Sequence, residues 1–226
     1  MENEILYEDN HIIAINKKSG DLAQGDKTGD TPLVDYVKQY IKEKYNKPGE
    51  VFLGIPHRLD RPTSGVLLFA RTSKALARLN EMFKKKDFEK TYWAVVKNMP
   101  PKQEDTLIHY LNKNQKQNKS YAGTDKNKGL KCELSYKVIA ESDHYFLLEV
   151  KPKTGRHHQI RVQLSTIGSP LKGDVKYGFD RPNEDKSIHL HARNISFIHP
   201  VSKEKLSITA PVPKNDVLWE VLSKGV

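Results

Sequence analysis

The sequence predicts an α+β fold, with a largely antiparallel or mixed central sheet flanked by helices. Strand-like runs outnumber helical ones, several are joined by short turns, and no internal repeat is visible. The 226 residues fit one large domain or two small lobes sharing a core, and a single domain over residues 1–226 is expected.

Ile12 to Ile15 is a short apolar run closed by Lys17, Lys18, Ser19 and Gly20, a strand followed by a turn. Thr31 and Pro32 predict a helix start, a hydroxyl cap before a proline where no amide hydrogen is needed. Leu33, Val37, Tyr40 and Ile41 give that helix one apolar face, and Asn46 to Glu50 break it ahead of a strand at Val51 to Ile55. Val66 to Ala70 is a further strand. Thr72 or Ser73 then caps a second helix with Leu76, Leu79 and Phe83 on its face, and Lys84 to Lys86 suit its C-terminal end.

Thr91 to Val96 is a strand by its β-branched and aromatic content. From Asn112 to Gly129 the chain is rich in Lys, Asn, Gln and Gly, which predicts a flexible polar loop over 112–129. Leu130 to Ala140 and Tyr145 to Val150 read as a strand pair joined through Glu141, Ser142 and Asp143. His157 to Ile167 reads as a helix ended by Gly168. Ile195 to Ile198 and Leu206 to Ala210 are later strands, and Asp216 caps a short closing helix.

Lys plus Arg exceed Asp plus Glu by 38 − 28 = 10, a surplus that composition alone assigns equally to a basic but non-binding surface or to a polyanionic partner, nucleic acid before an anionic membrane. The single cysteine, Cys132, allows no intrachain disulfide and suits a reducing cytosol. The start, Met1 to Asn10, is acidic and shows no secretory signal, and the apolar runs are too short to span a bilayer. A soluble, cytoplasmic protein is expected. No paired-cysteine spacing, HExxH or glycine-rich phosphate loop is present, so neither a metal nor a nucleotide cofactor is expected.

Two segments carry chemistry. His57 to Gly65 reads HRLDRPTSG, and its one acid, Asp60, stands between Arg58 and Arg61. Two neighbouring cations favour the charged carboxylate, which could serve as nucleophile or base, or could simply pair with arginine to support a turn. Lys151 to Gly173 reads KPKTGRHHQIRVQLSTIGSPLKG. There Thr154 and Gly155 turn the chain into a helix whose first turn carries Arg156, His157 and His158, with Arg161 one turn on. Cations crowded at a helix start call for a compensating anion, phosphate or carboxylate, unless they form only a solvated face. In KTYWAVV, Lys90 to Val96, Tyr92 could be core, a stacking platform or a buried phenol, and Trp93 is the more ordinary core residue.

Taken together, these segments resemble the RluA-type family of RNA pseudouridine synthases. IIAINKKSG (Ile12 to Gly20), HRLDRPTSG, KTYWAVV and TGRHHQIRVQL with KGDVKYG follow the family's motifs in the family's order. The resemblance implies a pseudouridine synthase catalytic domain with no separate N-terminal RNA-binding domain. It implies that Asp60 is the catalytic aspartate, that Tyr92 lies against the target base, and that Arg161 pairs with Asp60. Arg58 would help hold the place of the flipped-out nucleotide. His57, Thr63, Arg156, His158 and Gln159 fall in the same motifs and are expected to contact substrate RNA. Lys18 stands where the family usually has proline, and Gln163 where histidine is common. The implied activity is isomerisation of specific uridines in structured RNA, ribosomal before transfer RNA, by a monomer without cofactor. RNA affinity would then come from the domain's own basic surface, aided by the Asn112 to Gly129 segment.

Overall fold

The computed structural model describes residues 4–25 and 29–226, so the first three residues of the acidic start lie outside it. Among the described residues are ten strands and four α-helices. In chain order they begin β1 (Ile5–Glu8), β2 (Ile12–Lys17), α1 (Leu33–Lys44), β3 (Ser64–Ala70), α2 (Ser73–Lys85) and β4 (Phe88–Val96). They continue β5 (Glu104–Asn114), β6 (Lys119–Gly123), β7 (Leu130–Glu141), β8 (Phe146–Pro152), α3 (Gln159–Thr166), β9 (Leu190–Ile198), β10 (Lys205–Thr209) and α4 (Val217–Leu222). This is the expected α+β class, with a mixed, largely antiparallel sheet. The chain divides into two compact units, residues 1–90 with 192–211 and residues 91–191 with 212–226.

In the first unit β1, β2 and β3 pair antiparallel, Ile12 opposite Ala70 through Lys17 opposite Gly65, and β10 pairs β9. Alternation along β2 and β3 sends Ile12, Ala14, Val66 and Leu68 to one face, where Ala75 and Leu79 of α2 pack with Phe88, Ile195 and Phe197. The Thr72 Oγ1 accepts the Ala75 N–H at 3.1 Å, so the threonine is the cap of α2. Gly65 is required by its surroundings: its φ is 110°, and a Cβ there would stand 2.3 Å from the Ala192 carbonyl oxygen.

Two expectations fail in this unit. Pro32, rather than Thr31, is the cap residue of α1, with ψ 154° and no side-chain hydrogen bond. Val51 to Ile55 is no strand, because only Gly54 bridges Ala70; Gly54 and the following Pro56 are both poor ladder residues.

In the second unit the antiparallel order is β4-β8-β7-β5-β6. Ala94, Leu134, Leu148 and Val150 pack with Ile160 and Leu164 of α3 on one face. Trp93, Val95 and Leu147 face the other way, onto Trp219 and Leu222 of α4. The Asp216 carboxylate caps α4 as expected, accepting the N–H groups of Leu218 at 3.0 Å and Trp219 at 3.2 Å.

The Asn112 to Gly129 stretch is not one loop. Its first part completes β5, Gln115 to Asn118 turn the chain, and β6 returns with Asn114 opposite Lys119 and Tyr110 opposite Gly123. Polar composition hid the hairpin because only one of its faces is covered. Helix α3 also starts later than expected. Arg156, His157 and His158 precede it, because His158 adopts a left-handed backbone with φ 54° that a helix cannot contain. No helix among the described residues is long and apolar enough to cross a membrane.

Candidate active site

Strand β2 is buried along most of its length, yet it ends in Lys17, whose side chain is only 1% exposed. The ammonium has three hydrogens, and three carbonyl oxygens meet it: those of Lys18 at 2.8 Å, Arg61 at 3.0 Å and Thr63 at 2.8 Å. Two of these belong to the turn that follows Asp60. The same turn is stitched to the Lys18 to Gly20 segment by the Gly20 N–H on the Arg61 carbonyl and by the Ser19 hydroxyl on the Pro62 carbonyl. The Thr63 N–H closes the turn on the Asp60 carbonyl at 3.0 Å. Asp60 is thus half-buried on a loop held from beneath by a buried cation.

Burial pushes the Lys17 ammonium down to about 8, and the carboxylates of Asp21 and Asp60 oppose that shift. Between pH 8 and 10.5 the unfolded chain therefore holds more protons at this site than the folded one, and the group's contribution to stability rises with pH. Lys17→Met is expected to cost about 2 kcal/mol at pH 7, because three buried carbonyls lose their donor. Above pH 8 wild type should gain on the variant by about 1 kcal/mol per pH unit. Urea unfolding at pH 7, 9 and 10 reads both; a difference that shrinks as pH rises contradicts the assignment.

The other candidates of this unit divide by exposure. Arg58 is exposed, and Arg61 turns to the Gly20 carbonyl and to Asp30, 2.7 Å from its Nη2. Thr63 is buried. His57 stacks on Phe83 with ring centres 4.9 Å apart, and its Nε2 accepts the Leu68 N–H at 3.0 Å. A ring nitrogen that accepts must be unprotonated, and burial with the Lys90 charge holds the imidazole neutral, its pKa down to about 3.

In the second unit Tyr92 lies on β4 opposite Val150, half-buried against the cluster that contains Ile160. The approach to α3 is a polar clamp. Gln159 Oε1 accepts the Thr154 hydroxyl at 2.7 Å and the Arg156 N–H at 3.1 Å, while its Nε2 donates to the Glu133 carbonyl. His158 is buried, bonds the Tyr177 hydroxyl through Nδ1 at 2.8 Å, and stacks on His157 at 3.7 Å. Burial, Arg161 and neighbouring His157 push its pKa down to about 2. Arg156 is exposed.

Arg161 is 5% exposed and makes a bidentate pair with Asp174, Nε to Oδ2 at 2.7 Å and Nη2 to Oδ1 at 2.8 Å. Its guanidinium carbon also lies 5.1 Å from the centre of the Tyr177 ring. Asp174 and Tyr177 were both inside KGDVKYG, yet the sequence assigned them no role; a lone acid in a basic stretch downstream of a buried arginine was the available signal. Gln163, the departure from the family pattern, donates to the Leu107 carbonyl and meets His109 Nδ1, each at 3.1 Å, and so ties α3 to β5. Among the described residues no group of three His, Cys, Asp or Glu side chains gathers as a metal-ligand set.

In each unit an exposed arginine, Arg58 in the first and Arg156 in the second, stands near a histidine held neutral, an arrangement that suits an anionic partner. The chain belongs to the RNA pseudouridylate synthase family, whose model matches residues 11–166, and its chemistry is isomerisation of uridine within RNA. It is 34% identical over 217 residues to the ribosomal large subunit pseudouridine synthase C of Buchnera aphidicola subsp. Schizaphis graminum, covering 93% of this chain and 67% of that one. It is 31% identical over 243 residues to the tRNA pseudouridine synthase C of Vibrio parahaemolyticus, covering 98% and 94%. Among solved structures, human RNA pseudouridylate synthase domain containing 4 shares the fold with a TM-score of 0.80 at 22% identity, covering 96% of this chain and 92% of that one.

Proposed function

We propose that Asp60 is the catalytic carboxylate, that Tyr92 forms a wall against the target uracil, and that Arg161 acts with Asp60. The observation that carries this reading is the brace of Lys17 on the turn after Asp60, which fixes the one acid of HRLDRPTSG while leaving it partly exposed. In the reaction the bond from C1′ to N1 breaks, the uracil turns, and C5 joins C1′. C5 releases a proton and N1 takes one up. Atoms balance without an oxidant or an energy carrier, so the protein needs no cofactor. Asp60 assists by attacking ribose or base, or by removing a ribose proton, and every route needs it ionised. A stacked uridine cannot reach such a carboxylate, so the target is flipped out or lies in a loop, at a cost on the order of a few kcal/mol. Arg58 and Arg156, both exposed, offset that cost through RNA contacts, while the inward-turned His57, Thr63, His158 and Gln159 hold the loops that present them.

The substrate in this reading is ribosomal RNA, modified in the cytoplasm by a monomer. The names of the large-subunit relatives support it. A transfer RNA is the second reading, favoured by the Vibrio relative, of which this chain matches 94%. Pseudouridines mapped by carbodiimide-dependent reverse-transcription stops, in cells with and without the gene, decide between them. Stops lost from ribosomal RNA support the first reading, and stops lost from transfer RNA replace it with the second. No lost stop, with salt-sensitive RNA binding by the purified chain, would reduce the protein to a binding factor; free uracil among the products would make it a glycosidase.

A further inference from the structure

We infer that the β5–β6 hairpin is a fixed arm for the phosphate backbone of the RNA, with Lys113, Lys116 and Lys119 as its contacts. The inference rests on RNA being the substrate and adds where, outside the reacting nucleotide, this chain grips it.

Residues 112–131 hold six lysines and one acid, Asp125. Asp125 lies 3.4 Å from Lys128, and Lys131 meets Glu133 at 3.5 Å. Among the described residues no carboxylate lies at ion-pair distance from Lys113, Lys116 or Lys119. Lys113 and Lys116 are exposed and Lys119 is half-exposed. Cations gathered without counter-charges repel one another, and a polyanion relieves that repulsion while releasing its own counterions.

Position distinguishes these lysines from a solvated charge run. Ser120, opposite Lys113 in the ladder and 2% exposed, donates its N–H to the Tyr177 hydroxyl at 2.9 Å. Its Oγ meets His157 Nδ1 and the His157 carbonyl, each at 2.9 Å. Lys176 donates to the Asn118 carbonyl at the turn, at 3.3 Å. Gln163 holds the root of β5, and Leu111 with Ala122 packs on Val162 of α3. The hairpin is therefore clamped along its length to the segment that carries Arg156 and Arg161. Lys119 adds a second fixed point, its ammonium 5.3 Å from the centre of the Tyr177 ring. Lys113 and Lys176 are both close enough to His158 to oppose its protonation. Lys113, Lys119 and Lys176 thus stand in a set geometry around Tyr177 and the paired histidines, and Lys116 lies exposed on the turn between Lys113 and Lys119. Phosphates spaced along a strand match them, where a membrane surface would call for an amphipathic helix beside them.

The test is RNA affinity measured against salt, using the transcript that the mapping identifies, for wild type and for the triple variant Lys113→Gln, Lys116→Gln, Lys119→Gln. Three lost phosphate contacts should lower the slope of log affinity against log salt by about 2, and weaken binding at least tenfold near 100 mM salt. The loss should appear in KM. Arginine at the same three positions should restore the slope. Glutamine at Lys137, Lys205 and Lys224, an equal loss of net charge elsewhere, should leave it alone. An unchanged slope in the hairpin variant overturns the inference, as does an equal change in the distal one. Because the variants are compared only after wild type is shown to isomerise its RNA, such a result leaves the enzymatic reading standing. Wild type without isomerisation strikes the enzymatic reading instead.

Discussion

Asp60→Asn is expected to lower the rate of uridine isomerisation by roughly four orders of magnitude or more while leaving RNA affinity within a few-fold of wild type. The substitution keeps shape and volume and replaces an anion with a neutral amide, which neither attacks carbon nor accepts a proton at useful rates. A loss of this size corresponds to about 5.5 kcal/mol of transition-state stabilisation, within the range a nucleophile or base supplies. No other acid lies in HRLDRPTSG to substitute for it. The turn itself should survive, since its bonds to Lys17, Ser19 and Gly20 use backbone carbonyls rather than the Asp60 carboxylate. Filter binding and thermal unfolding separate lost chemistry from lost fold. Retention of even a tenth of wild-type activity contradicts the role proposed for Asp60.

The second large effect is on stability. Asp174→Asn should destabilise the protein by about 2–3 kcal/mol, because it replaces the anion of two charge-assisted hydrogen bonds to a guanidinium that is 5% exposed with a neutral amide. Against a typical total of about 5–15 kcal/mol, this is enough to leave a sizeable unfolded fraction at modest temperature. Arg161→Lys should lose less, keeping the charge but not the fork of donors. Urea unfolding at neutral pH reads both; a change below about 1 kcal/mol for Asp174→Asn shows that Arg161 does not depend on this partner.

How much was legible follows from what each residue's neighbours in sequence could report. Thr72 capping α2, Asp216 capping α4 and the turn joining β7 to β8 are local signals, settled within four or five residues, and all three stand in the structure. The β5–β6 hairpin escaped notice because its outward face is solvated, so alternation shows on one face only, at Leu107, Leu111 and Ser120. The late start of α3 escaped because nothing local marks His158 as left-handed; the bond from its ring to Tyr177, nineteen residues on, accompanies that backbone. In the candidate site, the motif residues were readable from the family resemblance. Their supports were not, since Lys17, Asp174 and Ser120 matter through partners 13 to 57 residues away.

Tritium release from RNA labelled at uracil C5, followed under single-turnover conditions with enzyme in excess, tests the central claim most directly. Wild type should liberate one equivalent of label for each pseudouridine formed, without added metal or nucleotide, and Asp60→Asn should hold the same RNA and liberate none. Label released by the Asn variant at the wild-type rate would contradict the account.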